Sequence, residues 1–152
     1  MVFANLGNLH FLDVSAAAGK DFQQLGAHRG AAFGDFDRDG RVDAVVSRIG
    51  ERAELFRNVS PARNHWLALK LRGRRSNRDG IGALVHVSTA SGSDQWNRVT
   101  TATGYGSSSD RTVFFGIGKD AVAKSIEIVW PSGVRQKLKD VKGDRYLTLE
   151  EP

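Results

Sequence analysis

The chain has 152 residues, enough for one domain or for one domain with a smaller unit attached. It contains no cysteine, which excludes disulfides, thiolate metal sites and a cysteine nucleophile but leaves the compartment open. The formal charge is +5, and no apolar run approaches the ~20 residues that span a bilayer, so no membrane-spanning helix is expected.

Glycines are abundant and prolines few, and short apolar runs lie between them, which favours a β-rich fold with many turns. The opening stretch, MVFANLGNLHFLDV, has no basic head followed by a continuous apolar core, so it does not read as a signal peptide. VSAAAGKDFQQ, near Ser15 to Gln24, carries the one helical pattern, a short one interrupted by Gly19.

DFDRDGRVD follows, with Asp35, Asp37, Asp39 and Asp43 at positions 1, 3, 5 and 9 and Gly40 after the third. Calcium takes six to eight oxygen ligands, and tight loops supply them from carboxylates at alternate positions with a glycine at the sharpest turn. A helical calcium hand would close with a glutamate at position 12, but that position is Val46, and the residues beyond read as a strand. The expected arrangement is therefore a loop between two strands. Its candidate ligands are Asp35, Asp37, Asp39, the carbonyl of Arg41, and Asp43, and the expected cofactor is Ca²⁺. Magnesium fits less well because it demands a smaller octahedral shell. The side chains of Arg38 and Arg41 are expected to point away and offset part of the loop's charge. The competing reading is an acidic surface turn, in which four carboxylates would repel one another.

Composition changes around RNVSPARNH, which sets a boundary between a unit over 1–60 and a domain over 61–152. The second part alternates with period two. Leu67, Leu69 and Leu71 share a face, Val85 and Val87 oppose Leu84 and His86, and Ile126, Ile128 and Trp130 oppose Glu127 and Val129. WPSGV, from Trp130 to Val134, is a turn between strands. Arg72, Arg74, Arg75 and Arg78 form a basic cluster that reads either as a polyanion patch or, better, as a solvated turn. No helical basic stripe or aromatic ladder accompanies it, which disfavours nucleic acid. In SNRDGIG, Asn77 and Asp79 are too few to hold a cation, and the segment reads as a turn. Ser107 to Ser109 with Asp110, together with His10, His28, His65 or His86, form the best catalytic alternative. No Gly-x-Ser-x-Gly elbow supports it, and a serine-rich turn explains the segment as well. Trp66 and Trp130 read as packing residues, while Trp96 and Tyr105 are open to sugar stacking.

RGAAFGDFDRDGRVDAVVS resembles an FG-GAP (VCBS-type) repeat, the unit of integrin-α-like β-propellers, and LFRNVS resembles the strand that ends it. The remainder, with SNRDGIGA and WPSG as its most specific parts, is similar to the ASPIC/UnbV domain. It departs from that family at Gly106, Ser107 and Ser108 and at Phe114. The resemblance implies an all-β fold, a partial propeller blade followed by a β-sandwich-like domain. It also implies calcium on Asp35, Asp37, Asp39, Arg41 and Asp43, and a non-catalytic, extracytoplasmic role in binding or adhesion to an unidentified protein or glycan. A propeller closes only with several blades. The chain is therefore expected to be the C-terminal piece of a longer protein, with open strand edges available for self-association.

Overall fold

The computed structural model describes residues 1–61 and 63–152, and these are almost entirely strands and turns. In the N-terminal part, β1 (Phe3–Gly7) and β2 (His10–Asp13) form a ribbon. A three-stranded meander follows, made of β3 (His28–Gly34), β4 (Asp43–Arg48) and β5 (Glu54–Phe56). The rest of the chain contributes β6 (His65–Arg72), β7 (Leu84–Thr89), β8 (Asp94–Arg98), β9 (Ala102–Gly104), β10 (Ser107–Ser108), β11 (Val113–Gly118), β12 (Val122–Val129), β13 (Arg135–Lys142) and β14 (Arg145–Glu150). No sheet closes into a barrel among the described residues.

The helix expected near Ser15 to Gln24 does not form. Two single 3₁₀ turns, Ser15–Ala17 and Asp21–Gln23, stand in its place. Gly19 lies between them at φ +104°, outside right-handed helical geometry, so no continuous ladder of hydrogen bonds can pass through it. Neither turn buries a residue, so no packing compensates for the broken alanine run.

The core belongs to two facing sheets, ordered β11-β6-β14 and β13-β12-β7-β8. In the first, β6 pairs antiparallel with β11 and parallel with β14. The second is antiparallel throughout. Alternation decides which residues enter the space between them. Leu67, Leu69 and Leu71 from β6 meet Val85 and Val87 from β7 and Ile126 and Ile128 from β12, and Trp130 is only 1% exposed beside them. Each such side chain stabilises the fold by roughly 1.5–3 kcal/mol through burial. The fold is therefore all-β and sandwich-like. Every member of the main core cluster lies between Leu67 and Leu149, and β1 to β5 contribute none.

The turn at Trp130–Val134 forms as expected. The Trp130 N–H donates to the Val134 carbonyl at 2.9 Å, and Gly133 takes φ +88°. The SNRDGIG segment is likewise a structural turn. The Asn77 side chain accepts from the Ile81 N–H and donates to its carbonyl, both at 2.8 Å, and Asp79 pairs with Arg111.

Candidate metal centre

The hairpin from β3 to β4 sets the aspartate loop, because Gly34 pairs with Asp43 and leaves the intervening residues to turn outside the ladder. Asp35, Asp37 and Asp39 come together there, with one carboxylate oxygen from each within 4.8 Å of the others. Backbone donors hold the cluster in shape. Asp35 accepts from the N–H of Asp39 at 3.1 Å and of Gly40 at 2.8 Å, and Asp39 accepts from the N–H of Arg41 at 2.9 Å. Asp43 lies outside this cluster and is nearly inaccessible. Its two oxygens accept from the N–H of Phe36 at 3.0 Å and of Asn58 at 2.7 Å, so it ties the start of the loop to the strand end beyond β5.

Guanidinium groups surround the carboxylates. Arg38 sits over the Tyr146 ring at 4.9 Å and makes no ion pair with the loop carboxylates among the described residues. Arg41 does the opposite of what the sequence suggests: its side chain turns back to pair with Asp39, anchored by Nε donating to the Asn58 carbonyl at 2.8 Å. The cause is local geometry, since the Arg41 N–H already faces Asp39 and the side chain follows it. Arg57, which sequence reasoning missed, donates through Nε to Asp37 at 2.7 Å, and its Nη2 stands 3.8 Å from Asp39. Partial burial works to raise the Asp37 pKa, but the hydrogen bond and charge of Arg57 outweigh it and hold the carboxyl below its usual value. The donor chemistry fits a hard, oxygen-preferring cation: three clustered carboxylates with no nitrogen or sulfur ligand.

The loop does not stand free. Its far side packs on the outer face of the β11-β6-β14 sheet, where register places Phe114, Ala68 and Tyr146 in one row. Phe114 and Tyr146 meet edge to face across the small Ala68, and Tyr146 meets Trp66 in the same way. The Tyr146 hydroxyl donates to Asp35 at 2.7 Å. Burial first, and then the hydrogen bond and charge of Asp35, keep that phenol protonated well above its usual range. Gly40 at φ +87° lies flat against the Trp66 indole, with no space for a Cβ. Beside this contact a cleft of about 650 Å³ opens, lined among others by Asp39, Arg41, His65, Trp66 and Asp144.

The catalytic alternative does not assemble. Ser107 and Ser109 accept, through their hydroxyls, the N–H groups of Ala31 at 3.1 Å and Phe33 at 2.9 Å, and the Asp110 N–H donates to the Phe33 carbonyl. The serine segment thus covers part of the β3 edge. His28, His65 and His86 pair with Glu54, Asp144 and Asp94, and no histidine–serine hydrogen bond exists among the described residues. The basic turn has a different use. The N–H groups of Arg74, Arg75 and Ser76 converge at 2.7–2.8 Å on one oxygen of Glu151, which is fully buried. The hydroxyls of Ser76 and Ser132 hold its other oxygen. Burial would raise the Glu151 pKa, but these donors pull it down to about 2.

A two-sheet sandwich with a carboxylate loop docked on its outer face defines an all-β module of a particular kind. The ASPIC and UnbV family matches residues 73–152, and the chain belongs to that family. It is 27% identical over 135 residues to human cartilage acidic protein 1, a match taking in 87% of this chain and 20% of that protein. With the Xenopus tropicalis cartilage acidic protein 1 it shares 29% identity over 71% of this chain and 17% of the relative. The chain therefore spans about a fifth of the length of these curated relatives. Their name designates no enzymatic activity. No helix is long and apolar enough to cross a membrane among the described residues.

Proposed function

We propose that the chain is a non-catalytic, calcium-binding interaction module of an extracytoplasmic protein, and that its N-terminal part is an FG-GAP-type repeat. The clustering of Asp35, Asp37 and Asp39 carries this reading. Arg41 and Arg57 offset part of the repulsion among these carboxylates at Asp39 and Asp37, and calcium is the cation whose ligand chemistry the three clustered oxygens match. The Arg41 carbonyl and Asp43 complete the ligand set. A carboxylate oxygen of Asp43 retains a second lone pair beyond the one its backbone donor uses. Membership of the ASPIC and UnbV family and the likeness to cartilage acidic protein 1 support a non-enzymatic module.

The experiment is titration calorimetry with CaCl₂, paired with thermal melts in calcium and in chelator. A ligand that binds only the folded state stabilises it by about 2.7 kcal/mol at a hundredfold over Kd. Calcium should raise the melting temperature accordingly, and Asp39→Ala should remove most of that rise. Absence of binding heat at millimolar calcium, with identical melts, would leave the loop as an acidic turn.

A further inference from the structure

The outer face of the four-stranded sheet is not used by the core, the metal loop or the Glu151 site. Register fixes its composition, because directly opposed residues share a face. Val85, Val87, Ile126 and Ile128 point inward, so the residues between them point out. Across β13, β12, β7 and β8 the outward rows read Lys139, Ser125, Ser88, Asp94, then Lys137, Glu127, His86, Trp96, then Arg135, Val129, Leu84, Arg98. Four cations thus stand against two carboxylates. Glu127 pairs with Lys137 and Asp94 with His86, and this leaves Arg98, Arg135 and Lys139 without an ion pair among the described residues.

Trp96 is the second feature. It is 59% exposed, although a large aromatic on a regular strand has an apolar interior to enter. Its ring stacks on His86 with centroids 4.2 Å apart and planes 13° from parallel. His86 therefore backs one face of the indole, and the hydrogen bond from His86 to Asp94 at 2.8 Å fixes that backing. β8 is an edge strand, so no further strand covers the other face of the ring. An indole held upright with one face free is a stacking platform. At the opposite side of the sheet, between β12 and β13, Glu127, Ile128, Val129, Arg135, Gln136 and Lys137 line a shallow depression of about 280 Å³.

From this geometry we propose that the outer face of β13-β12-β7-β8 binds an acidic polysaccharide. One sugar ring stacks on Trp96, and the carboxylate or sulfate groups of its neighbours meet Arg98, Arg135 and Lys139. Strands are about 4.8 Å apart, so Arg135 on β13 lies about 14 Å across the sheet from Arg98 on β8. A ligand touching both is an oligomer with repeated negative charge. Single-stranded nucleic acid also carries such charge, but it stacks successive bases on successive aromatics. This face offers a single free aromatic surface with the cations spread around it, which favours the polysaccharide. The site lies within the sandwich and does not depend on the calcium loop.

The test is calorimetry of the full chain with a size-defined heparin oligosaccharide, maltohexaose and oligo-dT, each at low and at high salt and with chelator present. The heparin oligosaccharide should bind, weaken steeply with salt, and bind equally in chelator. Trp96→Ala and the triple variant Arg98→Ser/Arg135→Ser/Lys139→Ser should each weaken binding at least tenfold, and the triple variant, whose side chains are solvent-facing, should leave the melting temperature unchanged. A second variant, Arg72→Ser/Arg74→Ser/Arg75→Ser/Arg78→Ser, removes the other cationic cluster and should leave affinity unchanged. The proposal is overturned if the heparin oligosaccharide does not bind, if maltohexaose binds as well, or if oligo-dT binds more tightly. It is equally overturned if chelator abolishes binding, or if the loss follows the turn variant instead of the sheet variants.

Discussion

Replacing Gly40 by alanine should destabilise the protein through two separable effects. At φ +87° a residue with a Cβ is strained by about 1–2 kcal/mol. The new methyl also overlaps the Trp66 indole, and forced overpacking of this kind costs about 1–3 kcal/mol. Together these give about 2–5 kcal/mol. Trp66→Ala removes the second effect and leaves the first. Gly40→Ala introduced into the Trp66→Ala background should therefore cost only about 1–2 kcal/mol, a coupling of about 1–3 kcal/mol in a double-mutant cycle. Urea unfolding of the four proteins, followed by circular dichroism, measures it. Equal costs in the two backgrounds would show that the aspartate loop is not seated on the sandwich in solution, and the packing described for Gly40 would be wrong.

Two further outcomes follow from other contacts. Tyr146→Phe deletes the hydrogen bond to Asp35 and should lower stability by about 1 kcal/mol in the same urea assay, the usual value for a charge-assisted bond reduced for its partial exposure. In an Asp35→Asn background the same substitution should cost measurably less. Glu151→Gln bears on acid stability. The folded-state pKa of Glu151 lies near 2, below its usual 4.5, so its contribution is fully present above 4.5 and is lost as pH falls through about 2. Melting temperatures of wild type and Glu151→Gln should differ most at pH 7 and converge as pH approaches 2. A gap that stays constant with pH would mean that the carboxylate is not the group recognised by the Arg74–Ser76 turn.

The sandwich was legible because its strands bury one face. Period-two alternation at Leu67 to Leu71, Val85 to Val87 and Ile126 to Ile128 reports that geometry directly. The aspartate loop was legible as a loop between strands, since carboxylate spacing and Gly40 are local features. What the sequence did not carry was anything joined over distance. Tyr146 reaches Asp35 across 111 positions, and nothing near either residue announces the contact. Arg57 resembles any other strand-end cation until the fold brings it to Asp37. The basic turn is the solvated turn between strands that its composition suggested, but its backbone role was not legible. Reading side chains finds four arginines, but at Arg74, Arg75 and Ser76 the fold uses backbone N–H groups, which every non-proline residue possesses. Ala16 to Ala18 favoured a helix by propensity alone, and propensity without an apolar face to bury is a weak determinant.

The Glu151 contact also governs the order in which the molecule can assemble. Its hydrogen bonds to the Arg74–Ser76 turn close loops of 75 to 77 residues, and β14 beside it pairs in parallel with β6, which no tight turn can achieve. The hairpins β7–β8 and β12–β13 need only short closures and are available early. On a ribosome, therefore, β6 emerges and waits with one edge open while the strands that follow it are made. The smaller sheet gains its last strand only after Glu151 has left the exit tunnel. Distant closures of this kind are slow and leave apolar surface exposed meanwhile. A prematurely terminated chain that lacks β14 would keep that surface exposed permanently, and protein quality control would meet it as an unfinished product even though most of its core residues had been synthesised.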